Sequence, residues 1–259
     1  MVGIAVDTPT QLIFALGLIV LTLILVAWQR LDLLGSVVVA AGRSILQMIV
    51  FSYILATIFI VRDPVLTVIA VFALLLVAAI VTQKQLSQRI PYLLPITLGS
   101  LFLGSAVTLG YVFTFVVQST PWYEPRVLVP LAGLVFANAM NGAAIAGEQF
   151  IHSLSHNTQE IETHLSLGAS PTIAIAPYRQ AAIRAGLLPT LNAMTIAGLA
   201  ILPNFMGGTL LAGFDPLQAG AYQLLILFMT LLATLVTLIL LLTGITQQFF
   251  TPAAQLRRW

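Results

Sequence analysis

Seven long apolar runs dominate this chain, at about residues 11–28, 38–61, 64–82, 94–117, 127–147, 187–211 and 220–246. A helix needs roughly 20 apolar residues to cross the hydrocarbon of a bilayer, and each run approaches or exceeds that length. The breaks between them carry charge and punctuation: WQRLD, VRDP, QKQLSQRIP, QSTPWYEPR, a long mixed-charge segment and AGFDP. Only 7% of the 259 residues are charged, 59% are hydrophobic, and the mean hydropathy is +1.05. A soluble domain carries about 25% charge, so these few charges cannot cover a water-exposed globule of this size. The expectation is an all-α membrane protein, a bundle of about seven transmembrane helices. Barrel strands would alternate in polarity and could not produce continuous runs.

The first run follows Asp7 with no Lys or Arg before it, so it reads as a retained span and not as a secretory signal. Cysteine is absent, which removes disulfides, thiolate metal sites and a Cys nucleophile. Seven spans place the termini on opposite sides. Arg30, Arg43, Lys84, Arg89, Arg179, Arg184, Arg257 and Arg258 then share one face, and Arg62 and Arg126 the other. Eight against two is a strong positive-inside bias. It predicts the N-terminus outside, the C-terminus cytoplasmic and a multi-pass chain in the cell membrane. Trp28, Trp122, Tyr123 and Trp259 fall at the expected interfaces. One transmembrane domain is expected over 1–259. The +2 net charge reflects loop cations and implies no nucleic-acid partner.

The segment of about 153–186 is the exception to this apolar pattern. Asn157 or Thr158 is expected to cap a helix carrying Glu160 and Glu162 in its first turns, with Ile161 and Leu165 on one stripe. Gly168 and Ala169-Ser170-Pro171 predict a turn, then a second helix over Thr172 to Arg184 with Arg179 and Arg184 near its C-terminal end. Gly186 and Pro189 are expected to close it. From the residues alone, such a helix pair suits packing against lipid headgroups and docking of another protein equally.

At membrane depth, polar residues are costly and face a bundle interior or a pathway. Arg43 and Gln47 share a face of the second run, where Arg43 can snorkel toward the cytoplasmic end. Asn138, Met140 and Asn141 lie in a small-residue stretch of the fifth, suited to close packing or to weak amide and thioether ligands. Asn192, Met206 and Gln223 follow in the last two runs. Thr230, Thr234 and Thr237 form one stripe, expected to pack against another helix. His152 and His156 have i,i+4 spacing but lack the Glu of HExxH, and no metal site is predicted. No GxSxG or other nucleophile arrangement occurs, so no enzyme is expected.

Five stretches then carry a family resemblance: AGRSILQMIVFSYIL (41–55), PLAGLVFANAMNG (130–142), LSLGAS (165–170), RQAAIRAGLLPTLNA (179–193) and LPNFMGGTLLAGFDPLQAGAYQ (202–223). Their order resembles the FetB-type ABC permeases, the bacterial iron-export permeases related to plant aluminium-tolerance permeases. Departures stand at Ala137, where Gly is usual, and at Asn204-Phe205, where Gly-Met is usual. The resemblance implies an ABC exporter subunit moving an iron-like metal ion or another small polar solute, with a UDP-glucose-like nucleotide sugar as the alternative. It also implies a homodimer of permeases in the bilayer and a separate ATP-binding subunit. The chain's one lysine, Lys84, has no preceding glycine run, so no P-loop exists here and ATP belongs to the partner. Coupling to that ATPase would fall on Glu162, Leu165, Gly168, Ala169, Arg179 and Arg184. The translocation path would run past Arg43, Gln47, Asn138, Met140, Asn141, Asn192, Met206 and Gln223. A stand-alone carrier or channel is the competing class, and would need its own carboxylates at depth.

Overall fold

The computed structural model describes residues 9–86, 90–118, 121–199 and 201–251, with the backbone alone for 9–13 and 15. Arg89, Arg257, Arg258 and Trp259 lie outside the described residues. Ten helices form in chain order among those described: α1 Pro9–Trp28, α2 Leu34–Val61, α3 Pro64–Gln85, α4 Leu93–Val112, α5 Pro125–His156, α6 Thr158–Ser166, α7 Pro171–Ala174, α8 Ala176–Ile196, α9 Asn204–Leu211 and α10 Pro216–Phe249. A π-helical turn, Phe113–Val117, extends α4.

Five of these are long and apolar enough to cross a membrane: Leu34–Val61, Pro64–Gln85, Leu93–Val117, Pro125–His156 and Pro216–Phe249. One of the seven expected spans differs. The first forms α1, 20 residues over Pro9–Trp28, with Leu16–Trp28 its described apolar part. The run at 187–211 is not one helix. Ala197 leaves helical geometry at φ −60°, ψ 124°, Gly198 turns left-handed at φ +77°, and Pro203 bars any continuation. Hydropathy sees only apolar residues there and is blind to backbone dihedrals. The result is a broken helix, α8 then α9.

The proline-led helices are well anchored. Asp63 accepts the N–H groups of Val65 and Leu66 at 2.7 and 3.0 Å, with Pro64 opening α3. Asp215 does the same for Leu217 and Gln218 at 2.9 and 3.3 Å, so the expected Asp-Pro turn is also the cap of α10. α5 and α10 run for 32 and 34 residues. At 1.5 Å per residue they reach ~48 and ~51 Å, more than the hydrocarbon thickness. The fifth helix therefore continues past the expected end at 147 to His156.

α10 is the central helix, packed on α4, α5, α8 and α9, while α5 also covers α3. The core at the α6 end joins Phe150, Leu154, Ile161, Ile175, Leu241 and Ile245. Close approach elsewhere depends on small residues. A Cβ on Gly186 of α8 would lie 2.7 Å from the Gly142 carbonyl oxygen of α5, and one on Gly142 would lie 2.9 Å from that of Gly186. A Cβ on Gly104 of α4 would strike the Thr237 hydroxyl. Thr230, Thr234 and Thr237 are buried; Thr234 and Thr237 pack against Gly142 and Gly104 as expected, while Thr230 faces a cleft. Most hydroxyls donate to carbonyls of their own helix, as Thr82 does to Ala78 at 2.8 Å, which satisfies them without water. The α1–α2 hairpin stands apart: among the described residues α2 packs chiefly on α1 and a short part of α5, and its flanks are exposed.

Candidate translocation cleft and coupling elbow

The α6 end of the bundle carries an elbow of three helices. α6 is amphipathic in sequence, and Ile161 drives its anchorage, fully buried in the core with Leu165 packed beside it. Its C-terminus closes on itself. Gly168 sits at φ +89° and donates to the Leu165 carbonyl at 3.0 Å, and Ala169 donates to that of His164 at 3.0 Å. That pair of bonds is a Schellman closure, which a residue with a Cβ enters only under strain. Open space surrounds Gly168, so its glycine answers a dihedral requirement and not a steric one. Pro171 then opens α7, as the Ala-Ser-Pro turn predicts. Leu167 and Ile173 protrude beside the turn, 79% and 67% exposed.

Three local expectations fail here. Asn157 and Thr158 do not cap α6: they donate backwards, to the carbonyls of Ser153 at 2.9 Å and Leu154 at 3.2 Å, because α5 runs directly into the elbow. The second helix of the pair is not Thr172 to Arg184. α7 ends at Ala174, and α8 begins at Ala176 and passes through both Gly186 and Pro189 to Ile196. Gly186 is there for contact with α5 and not for termination. Arg179 consequently lies in the first half of α8, far from a helix C-terminus. Its guanidinium donates to the Thr243 hydroxyl of α10 at 2.9 Å, binding α8 to α10. Arg184 is exposed on the same helix.

Tyr178, which the sequence offers no pattern to find, ties the elbow to α8. Its hydroxyl donates to Glu160 Oε2 at 2.7 Å. Burial, then the hydrogen bond and the negative charge of Glu160, push its pKa up to about 12. Glu162 and Ala169 are half-buried on the elbow. His152 and His156 stack at 3.9 Å between ring centroids, and no group of three or more metal-ligating side chains occurs among the described residues.

At the other end of α8 a cleft of about 310 Å³ opens between α5, the helix break and α10. Asn138, Asn204, Gln223 and Thr230 supply its polar side chains, and Leu134, Ile196, Phe205 and Ile226 part of its apolar wall. Asn138 donates to the Leu134 carbonyl at 2.9 Å, which turns its amide oxygen free of that bond. Gln223 is buried and accepts the N–H of Met206 at 3.3 Å, joining α10 to the first turn of α9. Irregular backbone inside a membrane is tolerated only where it is buried in protein or lines a cavity, and this break lines one.

The expected path residues do not all converge. Asn138 and Gln223 line the cleft, and Met206 reaches it through its backbone bond to Gln223. Met140 packs against the α3–α4 core instead, a quarter turn or more around α5. Asn141 and Asn192 are exposed and do not line the cleft, and Arg43 and Gln47 are exposed on α2. Helical spacing places residues on faces but does not say which face meets the cavity. Asn204, a departure from the family pattern that was not among the expected path residues, is a lining residue.

Comparison with known proteins gives the same assignment. The model of the uncharacterised protein family UPF0014 matches residues 9–250. The chain is 41% identical over 241 residues to the UPF0014 membrane protein slr1647 of Synechocystis, covering 93% of each. It is 31% identical over 224 residues to the probable iron export permease protein FetB of Escherichia coli, covering 86% of this chain and 85% of that one. It is 29% identical over 243 residues to the protein ALUMINUM SENSITIVE 3 of Arabidopsis thaliana, covering 94% and 88%. No solved structure matches. With its helices long enough to span a bilayer and its likeness to FetB along most of its length, this chain is a multi-pass membrane protein of the UPF0014 family, the FetB-type permeases.

Proposed function

We propose that this chain is the membrane-spanning permease subunit of an ABC exporter in the cell membrane, with the N-terminus outside, the C-terminus cytoplasmic and ATP hydrolysed by a separate subunit. The elbow of α6 and α7 carries this reading. It is short, closed by its own hydrogen bonds, apolar at its tip and fastened to a long helix through Tyr178 and Glu160. A partner that moves the elbow therefore moves α8, whose far end walls the cleft. Lys84, Arg179 and Arg184 lie at the elbow end and Arg62 and Arg126 at the other, which supports a cytoplasmic elbow. The subunit is expected to work as a homodimer, each copy docking one ATPase and rocking between inward- and outward-facing states.

The Escherichia coli relative is named for iron export, which supports a metal ion as cargo. Another small polar solute, a nucleotide sugar included, is the alternative. Tagged protein expressed in its own host should co-purify an ATPase and stimulate ATP hydrolysis in liposomes. Glu162→Lys or Gly168→Pro should abolish that association while leaving membrane insertion intact. An ATPase recovered equally with both variants would refute the docking role, and a wild-type chain that transports with no ATPase would favour a stand-alone carrier.

A further inference from the structure

Of the five helices long enough to span a bilayer, α2 is the least buried. Its own chain covers one side of it, where Val37, Ala41, Leu55 and Phe59 are half-buried. Those positions lie about 120–160° around the helix from Arg43, at 3.6 residues per turn. A second side is an open seam. Ala40, Arg43, Gln47, Val50, Ile54 and Thr57 follow one another at spacings of three and four residues, and all six are exposed. Ile58, which is buried, closes the far end of α2 against its own chain. Alternation of three and four is a 3.5-residue period, the repeat that keeps one helix facing another along its length. Packing against lipid tails needs no such register.

Gln47 gives the seam its meaning. It is residue 14 of the 28 in α2, counting from Leu34, and so sits at the middle of the span. An exposed amide there meets no water, and among the described residues neither the Gln47 nor the Arg43 side chain makes a hydrogen bond or ion pair. A polar group at that depth faces protein and not hydrocarbon. An amide both donates and accepts, so a second Gln47 satisfies it on both counts. Two copies inserted the same way are related by a twofold axis along the membrane normal. That axis sets their α2 helices parallel and puts equal residue numbers at equal depth. Arg43 does not oppose the arrangement. It lies one turn nearer the α2 N-terminus, and its side chain leans that way, so the guanidinium snorkels toward the headgroups. Ala40, the next residue of the seam, lets the two backbones come close.

We propose that the seam of α2 is the face on which two copies of this chain meet, with Gln47 hydrogen-bonded to the partner's Gln47 at the centre of the membrane. Arg43 and Gln47 are then contact residues of the dimer. The α1–α2 hairpin, which packs little on the rest of its own chain, is the dimerisation element. This rests on the homodimer put forward above, to which it assigns a surface.

The chain has no cysteine, so one introduced thiol reports one position. In membranes of the native host, oxidation should link Val50→Cys and Ile54→Cys into dimers. Met48→Cys and Ser52→Cys, on the far side of α2, should stay monomeric. Gln47→Leu suits lipid at least as well as the native residue does, so insertion and folding survive it. Its dimer affinity is read by energy transfer between two differently tagged full-length populations in lipid vesicles. It should fall about threefold to thirtyfold, the worth of one interhelical hydrogen bond in a membrane. Gln47→Asn retains an amide and should recover most of that loss. Cross-links favouring Met48→Cys and Ser52→Cys, equal cross-linking on both sides, or an unchanged affinity in Gln47→Leu overturns the proposal. So does a wild type that stays monomeric, with lipid or another protein on the seam. ATPase recovery from the same membranes separates the two readings. A dimer that brings down its ATPase but cross-links elsewhere overturns the α2 surface alone, whereas a chain with neither dimer nor ATPase removes the permease reading as well.

Discussion

The two ends of α8 are both interrupted by a left-handed glycine and a nearby proline, yet they do opposite things. At the elbow, Gly168 at φ +89° closes α6 with two hydrogen bonds, and Pro171 starts the next helix at once. At the break, Gly198 at φ +77° takes one bond from its own N–H to the Ile201 carbonyl at 3.1 Å, and Pro203 starts α9 without a capping side chain. The elbow satisfies its backbone and shows apolar side chains outward, which suits contact with a protein. The break also closes on itself, with the N–H groups of Leu199 and Ile201 on the Ile196 carbonyl, but it walls a cleft. The same punctuation thus makes a protruding turn at one end and a cleft wall at the other.

Between the two ends lies the crossing of α8 on α5, and the largest effect is expected there. Gly186→Ala places a methyl 2.7 Å from the Gly142 carbonyl oxygen and 2.8 Å from the Ala146 Cβ. Overpacking of that kind costs about 1–3 kcal/mol. A fall in Tm, with loss of ATPase stimulation, is the expected result. An unchanged Tm would mean that α8 slides freely and that its two ends are not mechanically joined.

Gly168→Ala comes next, costing about 1–2 kcal/mol because a non-glycine residue must hold a left-handed dihedral. Space is not the problem at this position, so the cost should be local. Hydrogen exchange should accelerate over α6 and α7 and stay unchanged at α9. Acceleration at both would erase the distinction between the two ends.

Asp215→Ala removes the acceptor for Leu217 and Gln218 and should cost about 1 kcal/mol, with Asp215→Asn close to neutral. Fraying is expected at the start of α10, and the elbow serves as the internal control. Equal losses for Ala and Asn would assign the effect to charge and not to capping.

The smallest effect belongs to Tyr178→Phe, which deletes one partly exposed hydrogen bond worth about 0.5–1.5 kcal/mol. Its pH dependence has a definite sign. The folded state raises the hydroxyl to about 12 from the ordinary 10.0, so it favours the protonated form. The stabilisation is whole below pH 10 and is lost as the pH climbs through about 12. Exchange at α6 should therefore rise across that window in the wild type and be flat in Tyr178→Phe.

Much of this was legible in the residues. Continuous apolar runs announce helices in lipid because period, length and lack of charge are local properties. The Asp-Pro of AGFDP marked the break before α10 but not its cap, and Ala-Ser-Pro announced the start of α7, since proline chemistry acts within three residues. Asp63-Pro64 carries the same signal and caps α3 in the same way. Gly186 and Pro189 misled for the same reason: locally they read as a helix end, and packing on α5 overrides that. Asn138 and Gln223, far apart in sequence, fell within one candidate set but could not be told from Met140 or Asn192.

Sequence alone determined the solvent, the helical class, the family and the elbow's glycine turn, all of which follow from composition or from neighbours along the chain. Tertiary structure alone decided that the sixth run breaks, that α8 links elbow to cleft, and that Tyr178 meets Glu160 and Arg179 meets Thr243. Those pairs are separated by 18 and 64 residues. Contacts at such separations depend on where whole helices pack, and no local periodicity encodes which side chains then come within hydrogen-bonding reach.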